Sequence, residues 1–403
     1  MSDDIDTRIW PFYSPDAVKQ ASEMIARGDT YATSEHSVIW TLETEFTSRF
    51  RLRGRSLFVG SGTAALLAGY YGLNLPRGSE VLVPAYTFSA TVTPLTVLGA
   101  VPVLCDVNSQ TGLLDLDDAA ARITAKTCAL VITHQWGQIF DLRAARQFCD
   151  QHSLALIEDC SHAHGAIFDG FAVGNQADFS AYSLGTKKLI SGGMGGMLVT
   201  KDQSILERAL VLTQPRPRAT TNLSDIDSPL LSYAHTGLGL NLRGSPISAS
   251  LALDHLRGFR RTVAIKNANL RAVSFTLTEA FGDALRISPI PRDAHGTLYL
   301  MPMTVAGDGE SRDRILAQLK MAQMRASRME PGLQAETIVS DPHNLVIGAH
   351  SKIVASGGYP GASYLETHGI RLDTRDMYST WNSDQLENLA ESLAPKKALE
   401  HVL

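Results

Sequence analysis

Seven short apolar runs recur between residues 56 and 200, most of them rich in β-branched side chains. They are Leu57-Phe-Val59, Glu80-Val-Leu-Val83, Val101-Pro-Val-Leu-Cys105, Ala129-Leu-Val-Ile132, Leu154-Ala-Leu-Ile157, Phe179-Ser-Ala-Tyr182 and Gly196-Met-Leu-Val199. Between most of them lie segments with helical spacing, such as Ala64–Tyr71 and Leu142–Cys149. Strands that are apolar throughout, rather than at alternate positions, must be covered on both faces. Their alternation with helices predicts an α/β fold with a mostly parallel sheet of seven strands.

The flanking segments differ. Residues 1–55 carry polar helical patterns at Asp16–Ala26 and Val38–Phe46. The stretch from Pro215 to Leu238 is rich in Pro, Arg, Thr, Ser and Asp with little periodicity, and a loop of that length in a compact domain is functional or reaches a neighbour. A helix is predicted from Ile247 towards Leu270. The remainder mixes a strand at Thr297–Met301 with helices at Asp313–Lys320 and Ser383–Ala390. The 403 residues therefore divide into a large domain over 1–255 and a smaller C-terminal α/β domain over 256–403.

Composition narrows the partners. A net charge of −5 gives no reason to expect nucleic acid or an anionic membrane as a partner. The four cysteines, at positions 105, 128, 149 and 160, lack CxxC spacing and read as reduced thiols. No apolar run approaches the ~20 residues that span a bilayer, and the first residues, Met-Ser-Asp-Asp-Ile-Asp, are acidic where a signal peptide is basic. A cytoplasmic globular protein is expected.

Four stretches carry chemistry. Gly60-Ser-Gly-Thr-Ala-Ala65 follows a strand and opens a helix, where small residues let a phosphate approach the backbone N–H groups. The same spacing fits a dinucleotide fingerprint, which expects an acidic residue at the end of the next strand. Glu80 stands at that strand's start instead, and Pro84-Ala-Tyr-Thr-Phe88 occupies its end, which favours a single phosphate. Phe88 is placed to stack on a flat ligand. In Ile157-Glu-Asp159-Cys-Ser-His162-Ala-His164, two carboxylates and two imidazoles admit a metal site, with His134 as a further ligand. The same cluster also admits a carboxylate, Asp159, facing a pyridine nitrogen, with His162 near the ring's phenolic oxygen and His164 behind the site. Finally, Ser183-Leu-Gly-Thr-Lys-Lys188 precedes the glycine cluster of residues 192–196. A buried lysine there can bond a carbonyl and act as a base, and Ser183 can offer its hydroxyl to a phosphate.

Taken together, these residues resemble the sugar aminotransferases of the DegT/StrS type, pyridoxal-phosphate enzymes of the aspartate-aminotransferase-like fold type I. The resemblance rests on Gly62-Thr63, Pro84-x-x-Thr-Phe88, Glu158-Asp159, Ala163-His-Gly-Ala166, Ser183, Lys188, Gly193-x-Gly-Gly196 and Gly239-x-Asn241-x-Arg243, in the family's order and spacing. It is strong over residues 30–255 and weak beyond. It implies that Lys188, five residues after Ser183, is the Schiff-base lysine and that Lys187 is a neighbour. It further implies that Gly62, Thr63 and Ser183 hold the phosphate, that Phe88 stacks on the ring, and that Asp159 pairs with the ring nitrogen. Asn241 would reach the phosphate of a second subunit, which implies a homodimer with shared active sites. His162 stands where many members have glutamine, and Met194 where they have glutamate.

The implied reaction is transfer of an amino group from glutamate or glutamine to a keto group on a sugar nucleotide or cyclitol, in secondary-metabolite or cell-envelope biosynthesis. Three alternatives compete with it. One is another pyridoxal-phosphate reaction on an amino acid, namely elimination, racemisation or condensation. The second is a regulator on the same fold, whose signature would be loss of Lys188 or Asp159, and both are present. The third is a nicotinamide dehydrogenase.

Overall fold

The computed structural model describes residues 10–31, 36–214, 218, 223, 229–234, 236–237, 240–290, 296–340, 352–379, 381 and 383–393. Most of the Pro215–Leu238 loop lies outside these.

All seven apolar runs form strands of one sheet. They are β1 (Arg55–Val59), β2 (Glu80–Pro84), β3 (Val101–Cys105), β4 (Thr127–Thr133), β5 (Ala155–Asp159), β8 (Phe179–Ser183) and β9 (Gly196–Thr200), with the small hairpin β6 (Ile167–Phe168) and β7 (Phe171–Ala172) apart from it. The strand order is β1-β9-β8-β5-β4-β2-β3. Strands β2, β3, β4, β5 and β8 pair in parallel, while β9 runs antiparallel to both β1 and β8. The sheet is thus mostly parallel, with one reversed strand. Every residue of β3 and β9 is buried, as expected when helices cover both faces. Helix α3 (Gly62–Leu73), which follows two short helices near the N-terminus, α1 (Pro15–Arg27) and α2 (Val38–Arg49), packs on one of those faces. Gly69 gives it close contact: a Cβ there would lie 2.2 Å from the Phe179 ring.

This topology gathers the chemistry-bearing stretches at one edge. The carboxyl ends of β1, β2, β4, β5 and β8 lead into Gly62, Phe88, His134–Trp136, His162 and Lys188, and the glycine cluster enters the reversed β9 from the same side. Open α/β sheets bind their ligands at this edge.

A 36-residue helix, Pro246–Phe281, opens on the Ser245 cap and ends at Gly282. Its first half, through Ala249, Leu253 and Leu256, belongs to the core of the large sheet. Its second half, through Leu270, Val273 and Leu277, packs against a four-stranded antiparallel sheet. That sheet comprises β10 (Leu285–Ile287), β11 (Leu300–Val305), β12 (Ala326–Arg328) and β13 (Gly369–Asp373), in the order β10-β11-β13-β12. The boundary expected at 255/256 therefore falls inside one continuous helix. Among the described residues no helix is long and apolar enough to cross a membrane, and all four cysteines are free.

Candidate active site

Alternation along β5 separates the acidic pair. Glu158 and Asp159 are successive residues, so their side chains leave opposite faces of the sheet. The Glu158 carboxylate accepts hydrogen bonds from the backbone N–H groups of Gly174 (2.7 Å), Ala177 (3.0 Å) and Gln176 (3.2 Å). His134 faces it at 3.2 Å through Nε2, and the Nδ1 of His134 accepts from the Phe140 N–H, so Nε2 carries the proton and donates to Glu158. Cys160 lies close enough to complete a three-ligand geometry, but the protons and N–H groups already around Glu158 fill the acceptor sites a cation would need. These residues tie the strand ends to the 174–177 turn, and the metal reading has no open donor set here.

Asp159 turns the other way, 5% exposed. One oxygen accepts from the Thr91 hydroxyl at 2.8 Å and the other from the Ser161 N–H at 3.1 Å. Thr91 is linked through Thr87 to Thr133, at 3.0 and 3.1 Å. This hydroxyl chain orients the carboxylate and leaves acceptor capacity free toward the sheet edge.

Lys188 follows β8 and is half-buried. Burial lowers its pKa to about 8, with the Asp159 charge opposing the shift and Lys187 adding to it. Lys187 itself is exposed. The Lys188 carbonyl accepts from the Trp10 indole N–H at 2.8 Å, and Trp10 stacks on Tyr378 at 4.1 Å. The N-terminal segment, which reads as polar helix in the sequence, thereby fixes the lysine's backbone.

His162 is half-buried, and its Nδ1 accepts from the Trp136 N–H at 3.3 Å. Burial, with the Lys188 charge adding to it, pushes its pKa well below the usual imidazole value. The neutral ring therefore carries its proton on Nε2, as a donor. His164 is buried behind the site, with Nε2 2.9 Å from the Ser183 carbonyl.

Gly62 and Thr63 open α3, capped by the Ser61 hydroxyl on the Ala64 N–H. A Cβ on Gly62 would lie 2.8 Å from Cβ of Ser183, so only glycine lets the helix start and the serine share this space. Phe88 is 70% exposed and Met194 64%. Asn241 is exposed and the Arg243 guanidinium lies 4.5 Å over the Tyr31 ring. The structure thus brings Gly62, Ser183, Lys188, Asp159 and His162 to one sheet edge and leaves Phe88 and Asn241 exposed. A cavity of about 510 Å³ lies elsewhere, against α2 and β1, lined by Trp40, Glu43, Arg51, Arg55, Leu206 and Arg218, and none of these groups faces it.

Sequence reasoning missed Thr91, Trp10, Trp136 and Tyr299. The run of hydroxyl residues after Phe88 is a usable signal for Thr91. The other three act across long sequence separations and leave no local pattern.

A mostly parallel sheet that carries a low-pKa lysine, a hydroxyl-braced carboxylate and a glycine–serine cradle on its carboxyl edge is the arrangement of a fold type I transferase. The chain belongs to the DegT/DnrJ/EryC1/StrS aminotransferase family, whose sequence profile matches residues 16–344. It is 34% identical over 182 residues to GDP-perosamine synthase of Vibrio cholerae, a match covering 45% of this chain and 49% of that protein. It is 28% identical over 334 residues to L-glutamine:2-deoxy-scyllo-inosose aminotransferase of Micromonospora echinospora, covering 81% of this chain and 76% of the relative. In three dimensions it resembles an aminotransferase from Psychrobacter cryohalolentis, with a TM-score of 0.81, 22% identity and coverage of 95% and 97% of the two chains.

Proposed function

We propose that this aminotransferase binds pyridoxal 5′-phosphate at the sheet edge. It would take an amino group from glutamate or glutamine and deliver it to a keto group on a sugar nucleotide or cyclitol. The observation that carries the reading is the convergence of Lys188 and Asp159 on a cradle closed by Gly62 and Ser183. Members of the family depend on pyridoxal phosphate, and solved structures of the same fold contain it or its pyridoxamine form.

The residues fit that cofactor. Gly62 and Ser183 approach so closely that no side chain fits at residue 62, which sets the first-turn N–H groups beside the Ser183 hydroxyl. First-turn N–H groups of Gly62 and Thr63, with the Ser183 hydroxyl, would hold the phosphate at the positive end of α3. Asp159, braced by Thr91 and Ser161, would face the ring nitrogen and keep it protonated. His162 would donate its Nε2 proton to the phenolic oxygen, and Phe88 would cover the ring. Bound there, pyridoxal phosphate supplies a cationic ring that accepts the electron pair left when a proton leaves the amine-bearing carbon. Lys188, with a pKa of about 8, exchanges that proton readily near neutral pH. Elimination, racemisation or condensation would use the same groups, and membership of an aminotransferase family favours amino transfer. Asn241 would serve the cofactor of a second subunit in a homodimer.

The test is direct. Protein loaded with pyridoxal phosphate is mixed with glutamate or glutamine, and the cofactor is extracted for chromatography. Accumulation of pyridoxamine phosphate is expected, and its absence with both donors would overturn the reaction. Borohydride reduction of the loaded protein followed by peptide mapping should place the label on Lys188. A label on Lys187 would overturn the site.

A further inference from the structure

Tyr299 enters the site from the strand side of the smaller sheet, immediately before β11. The Lys188 Nζ lies 4.4 Å from the centre of its ring. On the same residue, the His162 imidazole stacks at 4.0 Å with an interplanar angle of 8°. The ring is fixed from both ends of its backbone: the Tyr299 N–H donates to the Trp136 carbonyl at 2.7 Å, and the Tyr299 carbonyl accepts from the Thr374 hydroxyl at 2.7 Å. Trp136 holds a left-handed conformation, φ 57° and ψ 7°, uncommon for a large side chain. That turn aims its N–H at His162 and its carbonyl at Tyr299. The next residue, Gly137, has φ 93°, and a Cβ there would lie 2.5 Å from the Thr297 carbonyl oxygen. One strained turn after β4 therefore docks the 297–299 segment of the smaller sheet against the catalytic edge of the larger one.

We propose that Tyr299 is a positioning residue whose ring face receives the Lys188 ammonium whenever the lysine is not bonded to the cofactor. The inference rests on the reading of Lys188 as the cofactor-bonding lysine. An aromatic face attracts a cation but not a neutral amine, most strongly where water is excluded. The ring thus holds the released lysine protonated and close to the site, and partly offsets the burial that lowers its pKa. The other groups facing Lys188 are Asp159 from β5, Lys187 on its own loop, and His162 and His164 beyond the end of β5. Stacking on His162 gives Tyr299 a second effect, since the same ring sets the plane of the imidazole that would donate to the cofactor's phenolic oxygen.

The test follows the Lys188 ε-carbon by NMR in lysine-labelled full-length protein. Two states are compared, cofactor-free and loaded with pyridoxamine 5′-phosphate, in which no lysine is bonded. Lys188→Arg assigns the resonance. An upfield ring-current shift relative to exposed lysines is expected in both states. Tyr299→Leu should abolish that shift and lower the Lys188 titration midpoint by about half a unit to one and a half units. Tyr299→Phe, which keeps the ring face, should retain both properties. A Lys188 signal at the exposed-lysine position in the parent protein would overturn the proposal, even if Tyr299→Leu failed to fold. So would a Tyr299→Leu midpoint equal to the parent's. A borohydride label on another lysine would instead overturn the cofactor reading, while the cofactor-free measurement would still decide the role of Tyr299.

Discussion

Replacing Glu158 with glutamine should destabilise the protein sharply without touching the catalytic face. Glu158 is fully buried. Its Oε2 accepts from the Gly174 N–H and the His134 imidazole, and its Oε1 from the Ala177 and Gln176 N–H groups. A glutamine has one acceptor oxygen and one NH2 group. Whichever way it sits, two of these donors then face another donor. Each buried donor left without an acceptor costs about 1–3 kcal/mol, which makes about 4 kcal/mol for the pair. That is a large share of the ~5–15 kcal/mol by which domains are stable. With an unfolding slope of about 4 kcal/mol per molar urea for a chain of this size, the midpoint should fall by about 1 M. Urea unfolding of cofactor-free protein, followed in parallel by circular dichroism and tryptophan fluorescence, measures it. Asp159→Asn is the control. Asparagine keeps an acceptor for the Ser161 N–H and can donate to the Thr91 hydroxyl, so the midpoint should stay within about 0.3 M while pyridoxal phosphate binding weakens. A Glu158→Gln midpoint within about 0.2 M of the parent would refute the reasoning.

Two further outcomes are expected. Gly62→Ala puts a methyl group 2.8 Å from Cβ of Ser183, so the start of α3 must move off the serine. The dissociation constant for pyridoxal phosphate, read by absorbance titration, should rise about tenfold or more, and unchanged affinity would show that the cradle does not hold the phosphate. Stability should also depend on pH with a defined sign. Burial pushes His164 down to about 3 and His255 to about 4, so below the ordinary value of about 6.5 the unfolded chain takes up protons that the folded chain does not. The urea midpoint should therefore fall as pH drops from about 6.5 towards 4. Lys188 acts likewise at alkaline pH. Between its value of about 8 and the ordinary lysine range, only the unfolded chain keeps the proton, so this group adds stability as pH rises. A midpoint that stayed flat or rose on acidification through the histidine window would contradict both burial and sign.

The strands were legible because each is an uninterrupted apolar run bounded by turn residues, and burial on both faces demands that pattern. Their ends moved by at most two residues: the run at Ala129 extends to Thr127–Thr133, and that at Leu154 shifts to Ala155–Asp159. The hairpin β6–β7 was not legible, since its strands have two residues each and no periodicity. The Thr297–Met301 run reads as a strand, yet pairing begins only at Leu300, because the Tyr299 backbone is bonded to Trp136 and Thr374 instead. In the candidate site, the placement of Asp159, Ser183 and Lys188 at one sheet edge was legible, since each sits at or just beyond the carboxyl end of its own strand.

Local sequence thus sufficed for much of what depends on residues a few positions apart: the seven strands of the large sheet, the glycine that opens α3 and the two lysines in their loop. Which face of β5 each carboxylate leaves follows from alternation, but what waits on that face does not. Glu158 finds three N–H groups near residue 175, and Asp159 finds Thr91 from another strand end. Lys188 acquires its backbone anchor from Trp10 and its aromatic neighbour from Tyr299, both more than 100 residues away in the chain. Desolvation and π contacts depend on what packs around a group, so the chemistry of the lysine was settled only when the smaller sheet closed over the larger one's edge.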